Sequence, residues 1–290
     1  MLELSVEFFP PKTGEGISRF NKTADELVPL DFSFASVTYG AGGSTREGTL
    51  TAARELKKRF KEGVPHVSCY GSNEKSIHEL LKTYLNDGFS RLVVLRGDLP
   101  SGYGGLGEFK NAVDLVRFVR KEFGDQFKIE VAAYPEKHPQ SVSFEQDIDY
   151  FVEKVNAGAD GAITQYFYNA DAYFAFVDEV QSRGVSVPIV PGIMPITNFS
   201  QLARFSDSCG SEIPKWIKHR LSDFGDDKVK IYNFGITVVT RLCKDLIKAG
   251  CPGLHFYSMN QSKPIIDILS GIQFTTNAVS YTHLTLPTKA

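Results

Sequence analysis

Two carboxylates stand out by their surroundings. Glu7 lies in LSVEFFPP, between Val6 and the run Phe8-Phe9-Pro10-Pro11. A carboxyl group on an apolar strand is partly desolvated, which raises its proton affinity toward that of a general acid near neutral pH. The competing reading is a carboxylate paired with an inward arginine. Asp98 closes RLVVLRGD, in the string Arg96-Gly97-Asp98-Leu99-Pro100, where the glycine lets the backbone approach a ligand and two opposite charges can stand side by side. A plain salt bridge at a strand end fits that string nearly as well. His66, Ser68, Gln165 and Tyr257 occupy comparable places late in apolar runs, each able to exchange hydrogen bonds with a flat heteroaromatic ring. One such residue is an ordinary satisfied core group; several gathered at one end of a fold mark a site. Cys69 has no base near it in sequence and reads as a packing residue.

These residues need elements to position them. Short β-branched and aromatic runs recur at 4–9, 34–39, 66–70, 91–98, 128–134, 161–166, 188–193 and 253–259, which predicts eight strands. Between most of them the apolar residues take helical spacing, as in Ile77-Leu80-Leu81-Tyr84 and Tyr173-Phe176-Val177-Val180. Gly88, Gly158, Gly184 and Gly250 follow predicted helices where a left-handed C-terminal residue is wanted. Glu7, Thr38, Ser68, Asp98, Tyr134, Gln165 and Gly192 succeed one another at about 30-residue intervals, the length of a βα unit. Only the last interval is long, holding IPKWIKHRL and a helical stretch from Val229 to Lys248 as an extra element. Eight strands in parallel alternation favour a single-domain (β/α)8 TIM barrel over a doubly wound sheet, and put the chemistry at the C-terminal strand ends. The segment Tyr134-Pro135-Glu136-Lys137-His138-Pro139 then follows the fifth strand, with two prolines stiffening the turn. Its Tyr and His can pack against the sugar-alcohol or phosphate part of a cofactor, or the segment is a rigid exposed connector.

Composition removes several function classes. With 32 basic and 34 acidic side chains, a formal charge of −2 lacks the excess a nucleic-acid binder needs. The four cysteines have no CxxC spacing, which argues against structural zinc and for a reducing, cytoplasmic home; no metal site is expected. The N-terminal apolar stretch is too short for a signal sequence, and no run of about 18 apolar residues could span a bilayer. GxGxxG, GxxxxGK[ST] and GxSxG are absent, and the glycines at 41–45 and 101–107 fit βα loops better than a phosphate cradle.

The ordered motifs VEFFPPKT, SVTYGAGG, LRGDLP, VAAYPEKHP, GAITQYFY, PGIMPITNF and LHFYSMN resemble the methylenetetrahydrofolate reductase family of the bacterial, single-domain type, from about Leu4 to about Gln273. The resemblance implies a TIM barrel carrying FAD. NADH or NADPH would reduce the flavin, leave, and be replaced by 5,10-methylenetetrahydrofolate, which is reduced to 5-methyltetrahydrofolate in one-carbon metabolism and methionine biosynthesis. By resemblance Glu7 is the general acid that protonates the folate N10, and Asp98 is the carboxylate beside flavin and pterin that stabilises the iminium cation. The implied cofactor contacts are Thr38 on the nicotinamide side, with Tyr39, Ala41, His66, Arg96, Gly97, Asp98, Ala112, Tyr134, His138, Asp147 and Lys154 on the flavin. Gln165, Gln201, Phe205, Tyr257 and Gln261 match the substrate face. Four positions depart from the family pattern: Asn111 replaces a tyrosine, Tyr150 an asparagine, Glu153 an arginine and Gln261 an arginine. Fewer cations would then face the cofactor diphosphate, and a charge toward the folate is lost. The resemblance also implies a homo-oligomer, dimer or tetramer.

The expected organisation is one catalytic barrel over residues 1–277. The stretch VSYTHLTLPTKA fits no barrel element and resembles translated adapter sequence, so 278–290 reads as a disordered, non-native tail. Competing functions are a pterin-binding methyltransferase barrel, which needs no flavin contacts, an inactive flavin- or folate-binding copy, and, last, a phosphate-binding lyase barrel.

Overall fold

The computed structural model describes residues 2–39, 46–97 and 107–272. The strands are β1 (Glu3–Phe8), β2 (Phe34–Val37), β3 (Gly63–Ser68), β4 (Arg91–Leu95), β5 (Lys128–Ala133), β6 (Gly161–Thr164), β7 (Ile189–Val190), β8 (Gly192–Ile193) and β9 (Gly253–Tyr257). All neighbours pair in parallel, in the order β7-β6-β5-β4-β3-β2-β1-β9-β8. The predicted seventh strand is two pieces because Pro191 sits in its middle. Proline has no N–H to give to a ladder. β7 therefore pairs with β6 and β8 with β9, while the Pro191 carbonyl still accepts from His255 N–H at 3.0 Å. The chain passing through Pro191 closes the barrel, and the (β/α)8 expectation holds with nine strand pieces.

The helices are α1 (Gly14–Leu27), α2 (Arg46–Lys57), α3 (Glu74–Asn86), α4 (Ala112–Phe123), α5 (Phe144–Asn156), α6 (Ala170–Ser182), α7 (Phe199–Cys209), α8 (Lys215–Asp223), α9 (Lys228–Lys248) and α10 (Lys263–Gly271). Their starts are chemically marked. Thr13, Asn73, Ser143, Asn169, Asn198 and Asp227 each cap a helix by accepting from a backbone N–H of its first turn. Gly88, Gly158, Gly184 and Gly250 all take positive φ at the ends of α3, α5, α6 and α9, as the sequence predicts. The long last interval holds two extra helices rather than one, α7 and α8, ahead of α9, which packs on α6 and α10.

The core has two parts. Leu4, Val6 and Phe8 of β1 and Leu254 and Phe256 of β9 point outward into the sleeve between barrel and helices, where the Phe8 and Phe20 rings meet edge-on at 5.2 Å. Phe34, Val64, Val93 and Ile163 form a separate cluster inside the barrel, capped by Leu95. Period-two alternation thus turns Glu3, Ser5 and Glu7 of β1 inward. At the N-terminal end of the barrel, Arg91 reaches Glu62 at 2.9 Å, Glu3 at 3.4 Å and Glu130 at 3.5 Å, and its guanidinium stacks 4.5 Å over the Phe34 ring. That plug fills one end; the other is open. Among the described residues no helix is long and apolar enough to cross a membrane.

Candidate active site

Glu7 is held by its strand. Val6 and Phe8 on either side are fully buried in the sleeve, so the carboxylate between them can only face the barrel axis, where it is 8% exposed. Two imidazoles flank it: His66 Nε2 stands 3.4 Å and His255 Nε2 3.7 Å from Glu7 Oε2. Among the described residues no arginine pairs with it; Arg91, which enters the barrel interior, is spent on the opposite end. His255 is oriented from behind by Ser5 Oγ, 2.8 Å from its Nδ1. Burial lowers the His66 pKa to about 4, against the opposing pull of Glu7, so the ring is neutral near pH 7. Neither His66 nitrogen has a hydrogen-bond partner among the described residues, and both atoms are buried.

Beside this cluster opens a cavity of about 1080 Å³. Its wall contains Tyr39 after β2, Ser68 at the end of β3 and Tyr70 after it, Arg96 and Gly97 after β4, Asn111 and Ala112 at the start of α4, Tyr134 and His138 after β5, and Gln165 after β6. Asp147, Tyr150, Glu153 and Lys154 continue it along α5. Gly97 shows why its position needs glycine: its φ is +88°, and a Cβ there would stand 1.9 Å from Ser68 Oγ, which itself donates to the Arg96 carbonyl at 2.8 Å. Tyr134 and His138 pack edge-on at 4.6 Å. Asp147 shapes the loop between them, accepting from His138 N–H at 2.8 Å and Ser141 Oγ at 3.0 Å. Lys154 donates to the Ala132 carbonyl, and desolvation lowers its pKa to about 8 against the pull of Asp147.

Of the residues expected on the substrate side, Gln165 lines this cavity, whereas Gln201, Phe205, Tyr257 and Gln261 are not among its lining residues. Tyr257 Oη donates to the Thr164 carbonyl at 2.7 Å, and its ring meets Tyr166 edge-on at 6.4 Å. Tyr166 Oη lies 3.1 Å from Ser206 Oγ, which ties α7 across the strand ends. Gln201 and Phe205 share the α7 face that carries Cys209 into the cavity wall, and the Phe205 ring is 37% exposed. Thr38 sits at the end of β2, its N–H donating to the Phe8 carbonyl at 3.0 Å beside the Glu7 strand. Gln261 is exposed in the β9–α10 turn, outside the cavity wall. Asp98 and Ala41 lie outside the described residues. Cys69 packs as expected, with burial raising its pKa to about 12.

His255 and Ser5 were missed by motif reading, although strand alternation signals them: they stand two residues before Tyr257 and Glu7 on inward faces. Cys209 and Ser206 carry no such signal, since α7 reads as an ordinary amphipathic helix.

Comparison with known proteins gives this arrangement its context. Residues 2–273 match the family model described as methylenetetrahydrofolate reductase. The chain belongs to the methylenetetrahydrofolate reductase family. It is 36% identical over 282 residues to methylenetetrahydrofolate reductase (NADH) 1 of Zea mays, covering 92% of this chain and 48% of that protein, so it spans about half the length of that plant relative. Against 5,10-methylenetetrahydrofolate reductase of Escherichia coli K12 it is 36% identical over 263 residues, covering 90% of this chain and 88% of the relative. A solved Clostridium thermocellum structure, whose protein is described as binding two copies of 5-methyl-5,6,7,8-tetrahydrofolic acid, superposes with a TM-score of 0.70 at 18% identity over 93% of both chains. That superposition shows a shared fold.

Proposed function

We propose that this reductase-family chain reduces 5,10-methylenetetrahydrofolate to 5-methyltetrahydrofolate with electrons from NADH or NADPH, FAD being the resident cofactor. The observation that carries the reading is the buried Glu7 carboxyl, faced by the neutral His66 imidazole of β3, the strand whose last residue, Ser68, lines the cavity of about 1080 Å³. The residues present fit a flavin dinucleotide: aromatic Tyr39 and Tyr134, cationic Arg96 and Lys154, and the first turn of α4 at Ala112 line one continuous space. Tyr39, His66, Arg96, Gly97, Ala112, Tyr134, His138, Asp147 and Lys154 would hold it, with Ala41 and Asp98 contributing from outside the described residues. When bound it would hold the two electrons taken from the nicotinamide until the folate replaces it, which no side chain can do.

The protein's own part is placement and proton supply. Glu7 delivers a proton to the N10 amine of the folate, which lets the five-membered ring open to a cation that can accept hydride. His66 and His255 both flank Oε2 of the carboxyl and position it. Asp98 balances the positive charge that ring opening creates. Gln165 and Tyr257 orient whichever flat ring occupies the mouth, Thr38 contacts the nicotinamide, and Gln201 and Phe205 close over it from α7. Phe205 offers an exposed aromatic face to nicotinamide and pterin in turn, which suits one pocket to two successive substrates. Gln261 supplies no charge to the folate, so Gln261→Arg lowers the folate KM.

We take residues 1–277 as the catalytic barrel and place the protein in the cytoplasm as a homo-oligomer; its four cysteines are all free, which supports a reducing compartment. The test is an anaerobic stopped-flow experiment on the FAD-loaded protein. Flavin absorbance bleaches with NADH or NADPH and returns when methylenetetrahydrofolate is added. Bleaching without folate-dependent return would refute the substrate, and no bleaching with either nucleotide would refute the electron source.

A further inference from the structure

The cavity continues past the barrel mouth along α5. Asp147, Tyr150 and Lys154 recur there at helical spacing, with Glu153 adjoining, so one face of α5 forms the outer wall. Two of these side chains are tied to the barrel and its loops: Asp147 holds the His138 loop, and Lys154 is bonded to the β5 backbone. Tyr150 and Glu153 remain facing the space. The Tyr150 ring is 48% exposed, a large apolar surface left open on a cavity wall. Glu153 Oε1 accepts from Arg117 Nη2 of α4 at 2.7 Å, which fixes the carboxylate and leaves Oε2 for a ligand. An open aromatic ring takes flat bases by stacking, and a fixed carboxylate accepts hydrogen bonds from hydroxyls while repelling phosphate.

We propose that Tyr150 and Glu153, positioned by Arg117, form a nucleoside clamp: Tyr150 stacks on the adenine of the flavin dinucleotide and Glu153 accepts from its ribose hydroxyls. This rests on the FAD reading above. The reacting ring must lie near Glu7 and Gln165, so the rest of the molecule extends toward α5. Arg96 and Lys154 lie between and offer the positive charge that a diphosphate needs. The two departures at 150 and 153 therefore exchange charge recognition at the outer end for stacking and diol recognition. FMN, which lacks adenosine, cannot use the clamp.

Titration of the flavin-free protein with FAD and with FMN, followed by the change in flavin fluorescence, tests this without any turnover. The unmodified protein should prefer FAD by about tenfold or more. Tyr150→Ala should weaken FAD by about tenfold and leave FMN within about twofold, while Tyr150→Phe keeps FAD binding. Glu153→Gln should weaken FAD several-fold, again sparing FMN. A Tyr150→Ala protein of unchanged melting temperature that binds FAD normally, or one that loses FAD and FMN equally, would overturn the clamp. An unmodified protein that binds neither flavin would overturn the cofactor reading, and the clamp with it.

Discussion

Glu7 and His66 show how one buried contact serves both chemistry and stability. Glu7→Gln keeps the shape of the side chain and removes the proton. Flavin reoxidation by methylenetetrahydrofolate should slow by about 10²–10⁴-fold, the usual worth of a general acid, while reduction by NADH or NADPH stays within a few-fold. Equal slowing of both half-reactions would assign Glu7 to structure. His66 has a pKa near 4 in the folded barrel because burial disfavours its charged form. An unfolded histidine titrates near 6.5, so the unfolded chain binds the proton more readily. Stability is therefore complete above about pH 6.5 and is lost as pH falls toward 4, by on the order of 3 kcal/mol. His66→Gln should flatten that part of the profile of melting temperature against pH; an unchanged slope would place the acid sensitivity elsewhere.

At the scale of elements, the site depends on where strands stop. The apolar runs predict Thr38, Tyr134 and Gln165 as strand residues, yet each lies just past the last residue of its strand. The turn at the β4 end is close-packed. Gly97→Ala combines a positive-φ backbone with a Cβ driven onto Ser68 Oγ, so it should destabilise the protein by roughly 1–3 kcal/mol and misplace Arg96 in the cavity wall. Adding Ser68→Ala should recover part of the loss in a denaturant melt, because the hydroxyl clash goes and the φ strain stays. No recovery would mean that backbone strain alone carries the cost. Helices α7 and α8 are the other decisive elements: they insert between strand and barrel helix, and α7 brings Ser208 and Cys209 to the cavity wall.

The whole molecule separates its two ends. Arg91, stacked on Phe34 among Glu3, Glu62 and Glu130, secures the closed end, while Glu7 and its histidines lie toward the open one. Removing a buried charge partner leaves carboxylates uncompensated, at a cost of about 3–5 kcal/mol. Arg91→Met should therefore lower the melting temperature strongly, yet leave kcat close to normal at temperatures where the variant is folded. A large loss of kcat in the folded variant would show that the two ends are coupled. Glu130 adds to the sensitivity of this end, since burial raises its pKa despite Arg91 and Lys128.

The sequence by itself determined the alternation of strands and helices, the inward face of β1 and the helix ends, because each follows from a local period or cap chemistry. Family resemblance added roles for Glu7, Tyr134 and Lys154 that spacing could not supply. Only tertiary structure decided what meets what. That His66 and His255, 189 residues apart in sequence, flank one carboxyl is a product of barrel closure through Pro191, which no local pattern encodes. That Glu153 is held by Arg117 depends likewise on the packing of α4 against α5. Periodicity acts over a few residues and is written in the chain; the partners of a buried charge are chosen when distant strands close into a barrel.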